Sequence, residues 1–223
     1  MDRNRPAKNE SAGAPTPLAA LLTSIAAGVY PPPDGQVTVL PQPSPRDAGV
    51  FVLTAHTVIF ADVDPAWVMR QLPADDLSAP LNPPFLAELA CLTARRVNSI
   101  DMLCFAPALP GPPPTSLVAA PASSHPRAAR ARRYRDGVHA WETDGGLVIL
   151  GRGVAGRWEV AVEVDPERRG AGLGRRLAAA ARHLIPPGEP LWAQIAPGNA
   201  ASVRAFLAAG YVPAAAEALL VRT

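Results

Sequence analysis

Cysteine is almost missing from this chain: Cys91 and Cys104 are the only two, thirteen residues apart. That spacing matches no zinc ligand set, and one pair makes no disulfide framework. Both read as buried thiols in a reducing cytoplasm. The four histidines, His56, His125, His139 and His183, are too scattered to suggest a metal centre, and no metal is expected. Lysine is scarcer still: of 21 basic residues all but Lys8 are arginine. With abundant alanine and 27 prolines this reads as the codon bias of a GC-rich, bacterial genome, without functional weight. A large charge of one sign is missing too. The formal net charge is +2, so bulk electrostatics makes no case for nucleic acid. The nearest thing to a membrane segment is LAALLTSIAAGVY (18–30), too short to span a bilayer, and Glu10 and Pro15 spoil a signal-peptide lead-in. Leu18, Leu21, Leu22 and Ile25 instead follow i, i+3, i+4, i+7, the spacing of a short docking helix in a cytoplasmic protein with no membrane partner.

What is present is an ordinary globular composition, 48% hydrophobic and 18% charged, in a chain of 223 residues that is long enough for a sizeable core. Residues 1–16 are small and polar and read as disordered; residues 1–36 form a flexible lead with the short helix. Strands are expected at 37–40, 50–55, 57–63 and 101–106, with helices at 65–72 and 84–96 between them. The proline-rich PALPGPPPTS (107–116) is the best break, giving an N-terminal α/β region at 37–110 and a second domain at 111–223. In the second domain the spacing predicts a strand at 116–120 and a basic helix at 125–135. A hairpin follows, 138–143 and 147–153 around Asp144-Gly145-Gly146, then an alternating strand at 158–164. Beyond it come an amphipathic helix at 172–184, a strand at 190–196, a helix capped by Asn199 with Val203, Phe206 and Leu207 inward, and a strand at 217–222. In order this is strand, helix, three strands, helix, strand, helix, strand, an α/β pattern.

One stretch asks for a ligand: ERRGAGLGRRLAAAARH (167–183) joins a strand to a helix through three glycines. Helix N-termini leave N–H groups without partners and carry partial positive charge. A turn without side chains lets a phosphate reach them. A P-loop is excluded, because no Gly-Lys pair occurs in the chain. A dinucleotide fingerprint is disfavoured: Arg175 stands where the third glycine belongs, and the next strand ends in Gln194-Ile195 without a ribose-binding acid.

A third pattern, [QR]-x-x-G-x-[GA], fits Arg169-Gly170-Ala171-Gly172-Leu173-Gly174. Val164-Asp165-Pro166 precedes it, and Asn199, Ser202, Phe206, Gly210 and Tyr211 follow at matching distances. In these residues the chain resembles the Gcn5-related N-acetyltransferase (GNAT) superfamily, over 158–211 by motif and about 115–223 by element order. The resemblance implies a mixed α/β (α+β) sheet flanked by helices, preceded by a smaller α/β region. It implies an acyl-CoA co-substrate, most simply acetyl-CoA, and direct transfer to an amine of a small molecule or protein. By matching, Arg169, Gly170, Ala171, Gly172, Leu173 and Gly174 would hold the pyrophosphate, with Arg175 helping. Val162 and Val164 would lie along the pantetheine arm, and Asn199, Ser202 and Phe206 would line it. The strands at 158–164 and 190–196 are expected to splay, with the thioester between them.

The same resemblance exposes two departures. Phe206 stands where many relatives carry a tyrosine acid. LWAQIAPGNAAS resembles ribosomal-protein N-terminal acetyltransferases, yet Gln194 stands where those often carry a glutamate base. Glu159 and Glu163, on one face of the 158–164 strand, remain as candidate bases, against the plainer reading of an exposed polar strand face. Arg168, Arg175 and Arg176 read equally as a solvated helix start. The five arginines Arg127, Arg130, Arg132, Arg133 and Arg135 read first as a solvated helix face, with an acidic acceptor or nucleic acid as minor readings. A homodimer is left open. Region 37–110 is expected to be a non-catalytic wall for the acceptor, though a degenerate second copy or a completed sheet fits as well. A catalytically weak CoA sensor or partner-binding module is the second reading of the whole.

Overall fold

A computed structural model describes residues 14–121 and 125–222. The expectation for residues 1–13 lies outside the described residues. The chain forms two compact units: residues 14–103 together with the end of the chain from Ala214, and residues 104–213.

The first unit opens with α1 (Pro17–Ala26). Thr16 caps it by accepting from Ala19 N–H at 3.2 Å, and Pro17 fixes its first turn. Leu18, Leu22 and Ile25 are buried as their spacing requires. Strands β1 (Val37–Leu40), β2 (Ala48–Leu53) and β3 (His56–Phe60), helices α2 (Pro65–Gln71) and α3 (Pro83–Leu92), and the long strand β4 (Arg95–Pro107) follow. The C-terminal strand β10 (Val212–Arg222) completes the order β1-β3-β2-β10-β4. β1 runs parallel to β3, while β2 is antiparallel to both β3 and β10. Val50, Ile59, Val68, Phe85, Leu86, Leu89 and Leu220 form its main core. Each such side chain contributes about 1.5–3 kcal/mol by leaving water.

Helix 84–96 was expected to run four residues further than it does. It ends at Leu92, and Ala94 takes φ +50, after which the chain becomes strand at Arg95. The polar run RRVNSID hid this strand. Arg95 is nevertheless buried, and donates to the carbonyls of Arg46 (2.7 Å), Pro45 (2.8 Å) and Leu220 (3.1 Å). Its charge is solvated by backbone in place of water. Cys91 is exposed, correcting the expectation of two buried thiols; only Cys104 is buried. Burial pushes the Cys104 thiol up to about 12, so it is inert as a nucleophile.

The second unit has the strand order β4-β9-β8-β7-β6-β5, built from β5 (Val118–Ala120), β6 (Asp136–Thr143), β7 (Gly146–Arg152), β8 (Trp158–Val164) and β9 (Pro190–Ile195). Helices α4 (Pro126–Ala131), α5 (Leu173–Ala181) and α6 (Ala200–Ala208) accompany it. β5 to β8 form an antiparallel meander, and β8 meets β9 in parallel. α4 is shorter than the predicted 125–135, and packs Ala128 and Ala131 on Ala140, Leu147 and Ile149. On the other face a Cβ at Gly146 would strike Leu177 and Leu173 of α5, so the sheet lies very close to that helix.

The unit boundary at 103/104 differs from the sequence boundary at 110/111, for a physical reason. The proline-rich stretch is pinned to the second unit. Ala108 N–H bonds Glu189 C=O (3.1 Å), Leu109 N–H bonds Arg182 C=O (2.9 Å), and Arg182 Nε donates to Pro107 C=O (3.0 Å). Prolines lacking N–H groups read as a linker in sequence, but their neighbours carry the hydrogen bonds. Among the described residues no helix is long and apolar enough to cross a membrane.

Candidate functional site

β8 hands the chain to α5 through the glycine turn. Asp165 N–H bonds Gly145 C=O at 3.0 Å, which fixes the exit from the strand. Gly170 (φ +79) and Gly172 (φ +76) then adopt left-handed backbone that other residues rarely take. Gly172 caps α5, and the first helical bond runs from Arg176 N–H to Gly172 C=O at 3.2 Å. The N–H groups of Leu173, Gly174 and Arg175 precede that bond, where a helix leaves donors without intrahelical partners; glycine has no side chain to satisfy them. Arg169, Gly170, Ala171, Gly172 and Arg175 are exposed, Gly174 is half-buried and Leu173 is buried under the turn. Gly174 is not forced by crowding, since a Cβ there would meet Val164 at 3.7 Å and Ala205 at 3.8 Å, ordinary contacts.

Beside this turn the sheet opens. β8 and β9 pair only at Trp158↔Leu191 and Glu159↔Trp192, although β8 continues to Val164 and β9 to Ile195. From Val160 onward the ladder between them is absent. A groove flanked by strand backbone therefore begins at the paired end and leads towards the glycine turn. Val162 and Val164 are half-buried along it. Val164 C=O accepts from Arg169 Nε at 3.1 Å, so this carbonyl, expected along the pantetheine arm, is engaged by the turn's own arginine.

On the far bank, Asn199 caps α6 by accepting from Ser202 N–H at 3.1 Å. That occupies Oδ1 and leaves the amide N–H groups of Asn199 as donors. Phe206 is buried and meets Tyr211 edge-on at 4.9 Å. Tyr211 O–H donates to Ala178 C=O at 3.1 Å, and burial pushes its phenol well above the usual range. It is a structural hydrogen-bond donor rather than an exchangeable acid. Leu207, expected inward, is 40% exposed.

The two glutamates of β8 share the face that α4 covers, where Ala161 between them also packs, but they differ in burial, which corrects the plainer expectation of an exposed polar face. Glu163 is half-exposed and faces Arg127 of α4 at 3.7 Å. Glu159 is 2% exposed. Arg157 Nε (2.8 Å) and Arg135 Nε (2.8 Å) donate to its two oxygens, and Val154 N–H adds a third bond at 3.3 Å. Burial alone would raise its carboxyl. The charges of Arg157 and then Arg135, with their hydrogen bonds, outweigh that and hold it below the usual carboxylate range. Buried and ionised, Glu159 is a poor proton acceptor, so the structure moves it from candidate base to structural anchor. The arginine cluster is divided by the same contacts: Arg127 and Arg135 serve the two glutamates, while Arg130, Arg132 and Arg133 are exposed.

Gly153 makes room for this carboxylate. A Cβ there would overlap the Glu159 carboxylate itself. Gly153→Ala is expected to lose about 1–3 kcal/mol through overpacking, read as a lower urea midpoint; an unchanged midpoint would show that the carboxylate does not sit there.

No family model matches the chain, and no curated protein matches it. Among solved structures it is similar to a GCN5-related N-acetyltransferase from Kribbella flavida, with 18% identity and a TM-score of 0.38, over 62% of this chain and 64% of that one. It therefore spans less than two thirds of that protein. It is also similar to a protein described as an acetyltransferase from the GNAT family, from Novosphingobium aromaticivorans, with 22% identity and a TM-score of 0.35, over 58% of this chain and 68% of that one. Among the described residues no three His, Cys, Asp or Glu side chains stand together as a metal-holding group.

Proposed function

We propose that the chain is a cytoplasmic acyl-CoA-dependent N-acyltransferase that passes an acetyl group directly to the amine of a small molecule or protein. The observation that carries this reading is the separation of β8 from β9 after two rungs, directly beside a left-handed glycine turn and a helix N-terminus. A long, flexible thioester with a diphosphate in its body suits that combination. The diphosphate takes the N–H groups of Gly172, Leu173, Gly174 and Arg175 and the charge of Arg169 and Arg175. The amide-bearing arm takes strand backbone at Val162 and the amide of Asn199, beside Ser202 and Phe206. The acetyl group then reaches the closed end of the groove. A free amine attacks the thioester carbon, the C–S bond breaks, and the amine proton leaves to a base while the thiolate departs.

Glu163 is the base this reading assigns, since Glu159 is held between two arginines; it stands four residues from the closed end, about 13 Å along the strand, so the proton reaches it through a chain of waters. Glu163→Gln is expected to slow acetyl transfer at least tenfold with acetyl-CoA affinity unchanged, measured by thiol release alongside titration calorimetry. A normal rate removes Glu163 from the mechanism.

A second reading has its own support. With Phe206 apolar, Tyr211 tied to Ala178 and Glu159 locked, the groove is poor in proton-transfer groups. The same geometry then serves a CoA-binding sensor or partner-binding module. A thiol-release assay with acetyl-CoA and an amine panel separates the two: binding without turnover on any amine favours the sensor. No binding of acetyl-CoA overturns both.

A further inference from the structure

Outside the groove, one group of side chains is connected as a nucleophile and its base would be. In the first unit, Asp34 Oδ1 lies 2.8 Å from His56 Nδ1, and His56 Nε2 lies 3.0 Å from Thr38 Oγ1. His56 is buried at the start of β3, Thr38 is half-buried on β1, and Asp34 lies in the turn before β1. An ionised carboxylate can only accept, so with a neutral ring Asp34 fixes the proton on Nδ1 and leaves the Nε2 lone pair for the Thr38 hydroxyl. Hydrogen bonds led by that from Gln36 N–H, then that from His56, hold the Asp34 carboxyl below the usual range.

The orienting acid is itself fixed. Asp34 Oδ1 accepts from Gln36 N–H at 2.9 Å, Asp34 N–H bonds Pro32 C=O at 2.9 Å, and Gly35 N–H bonds Ala55 C=O at 2.7 Å, next to His56. A donor for a developing oxyanion is also at hand. The carbonyls of Gln36 and Leu40 accept from Thr57 (3.0 Å) and Ala61 (3.2 Å) on the β3 side. By strand alternation Val39 therefore turns its N–H to the outer edge of β1, a strand that pairs with β3 alone in the strand order. The residue after the nucleophile is a familiar position for such a donor.

We propose that Thr38, His56 and Asp34 form an acyl-accepting centre for small activated esters. Thr38 Oγ1 bonds to the ester carbonyl carbon as its proton passes to His56 Nε2, and the oxyanion faces Val39 N–H. The C–O bond to the leaving alcohol breaks, and that alcohol takes the proton from Nε2. Water then attacks the acyl-threonine by the same route, releasing a carboxylic acid and restoring the hydroxyl. The branched Cβ of threonine restricts the centre to small acyl groups.

The test uses the full chain with p-nitrophenyl acetate, measuring nitrophenol release and mapping acetylated peptides after acid quench. An acetyl group on Thr38 is expected in the wild type. Thr38→Val is expected to lose it and to lower the rate at least tenfold, while keeping its thermal midpoint and acetyl-CoA titration unchanged. Asp34→Asn is expected to lower the rate on the order of 10²–10⁴-fold, because an amide no longer fixes the ring tautomer. Thr38→Ser keeps the hydroxyl and is expected to carry the acetyl group at residue 38 even if the valine variant fails to fold. Acetyl found only on other residues, or none at all, overturns the proposal. Acetyl-CoA titration reads the groove separately, so either result stands without the other.

Discussion

Replacing Glu159 with glutamine is expected to cost about 3–5 kcal/mol of folding stability. The reason is what remains. Arg135 and Arg157 stay in place, buried to 11% and 3% side-chain exposure, without the carboxylate that both now contact at 2.8 Å. The change keeps the shape of the side chain but removes its charge and turns one of the two oxygens that accept from Arg135 and Arg157 into a donor, so packing is not the cause of the loss. Urea unfolding of both proteins at neutral pH checks it. A difference below about 1 kcal/mol would mean that the guanidiniums are solvated in some other way.

The same pair predicts a pH signature. The folded carboxyl of Glu159 is depressed relative to the unfolded value of about 4.3, so its contribution is fully present above that pH. It is lost as pH falls through the lower, folded value. The gap between wild type and Glu159→Gln is therefore expected to narrow as the solution is acidified below about pH 4, since a protonated glutamate and a glutamine alike bring no charge to the arginines. A gap that stays constant into acid would show that Glu159 is not the titrating partner.

Gly172→Glu is expected to weaken acetyl-CoA binding by a hundredfold or more, about 2.7 kcal/mol. Two effects act together. The residue sits at φ +76, where a side chain costs about 1–2 kcal/mol. A carboxylate also stands at the helix terminus that the diphosphate would occupy, competing for the same N–H groups. A Cβ at this position meets only Arg176 Nη1, at 3.6 Å, so the core is untouched and the variant should fold. Calorimetric titration of the folded variant decides: affinity equal to wild type places the coenzyme elsewhere.

The second unit was easier to read from sequence than the first. Trp158-Glu-Val-Ala-Val-Glu-Val alternates cleanly, and the glycines and Asn199 mark both helix starts, so β8, α5, β9 and α6 fall within a few residues of their expected places. The left-handed turn was legible because glycine spacing carries conformational information directly. The burial of Glu159 was not. Alternation says which residues share a face but not what covers it, and the covering arginines come from the end of the α4 segment and from the β7–β8 turn. The signal that existed was Gly153-x-x-x-Arg157-x-Glu159, a small residue and an opposite charge close to an acid. Likewise β4 is thirteen residues long, yet its first half is polar and reads as helix or loop until Arg95 is seen among backbone carbonyls. The Asp34, His56 and Thr38 contacts join residues 22 and 18 positions apart, and no periodicity reports on those.

The return of β10 to pair with β2 has a consequence for dissecting the gene. Ala216 to Leu220 lie against Val52 to Ala48, so the unit that begins the described chain borrows its partner strand from the very end. Cutting the coding sequence at the proline-rich stretch would yield an amino-terminal fragment with β2 unzipped along one side. The carboxy-terminal fragment would trail an orphan strand. Severed halves should therefore be co-expressed before either is asked to behave as an autonomous folding piece.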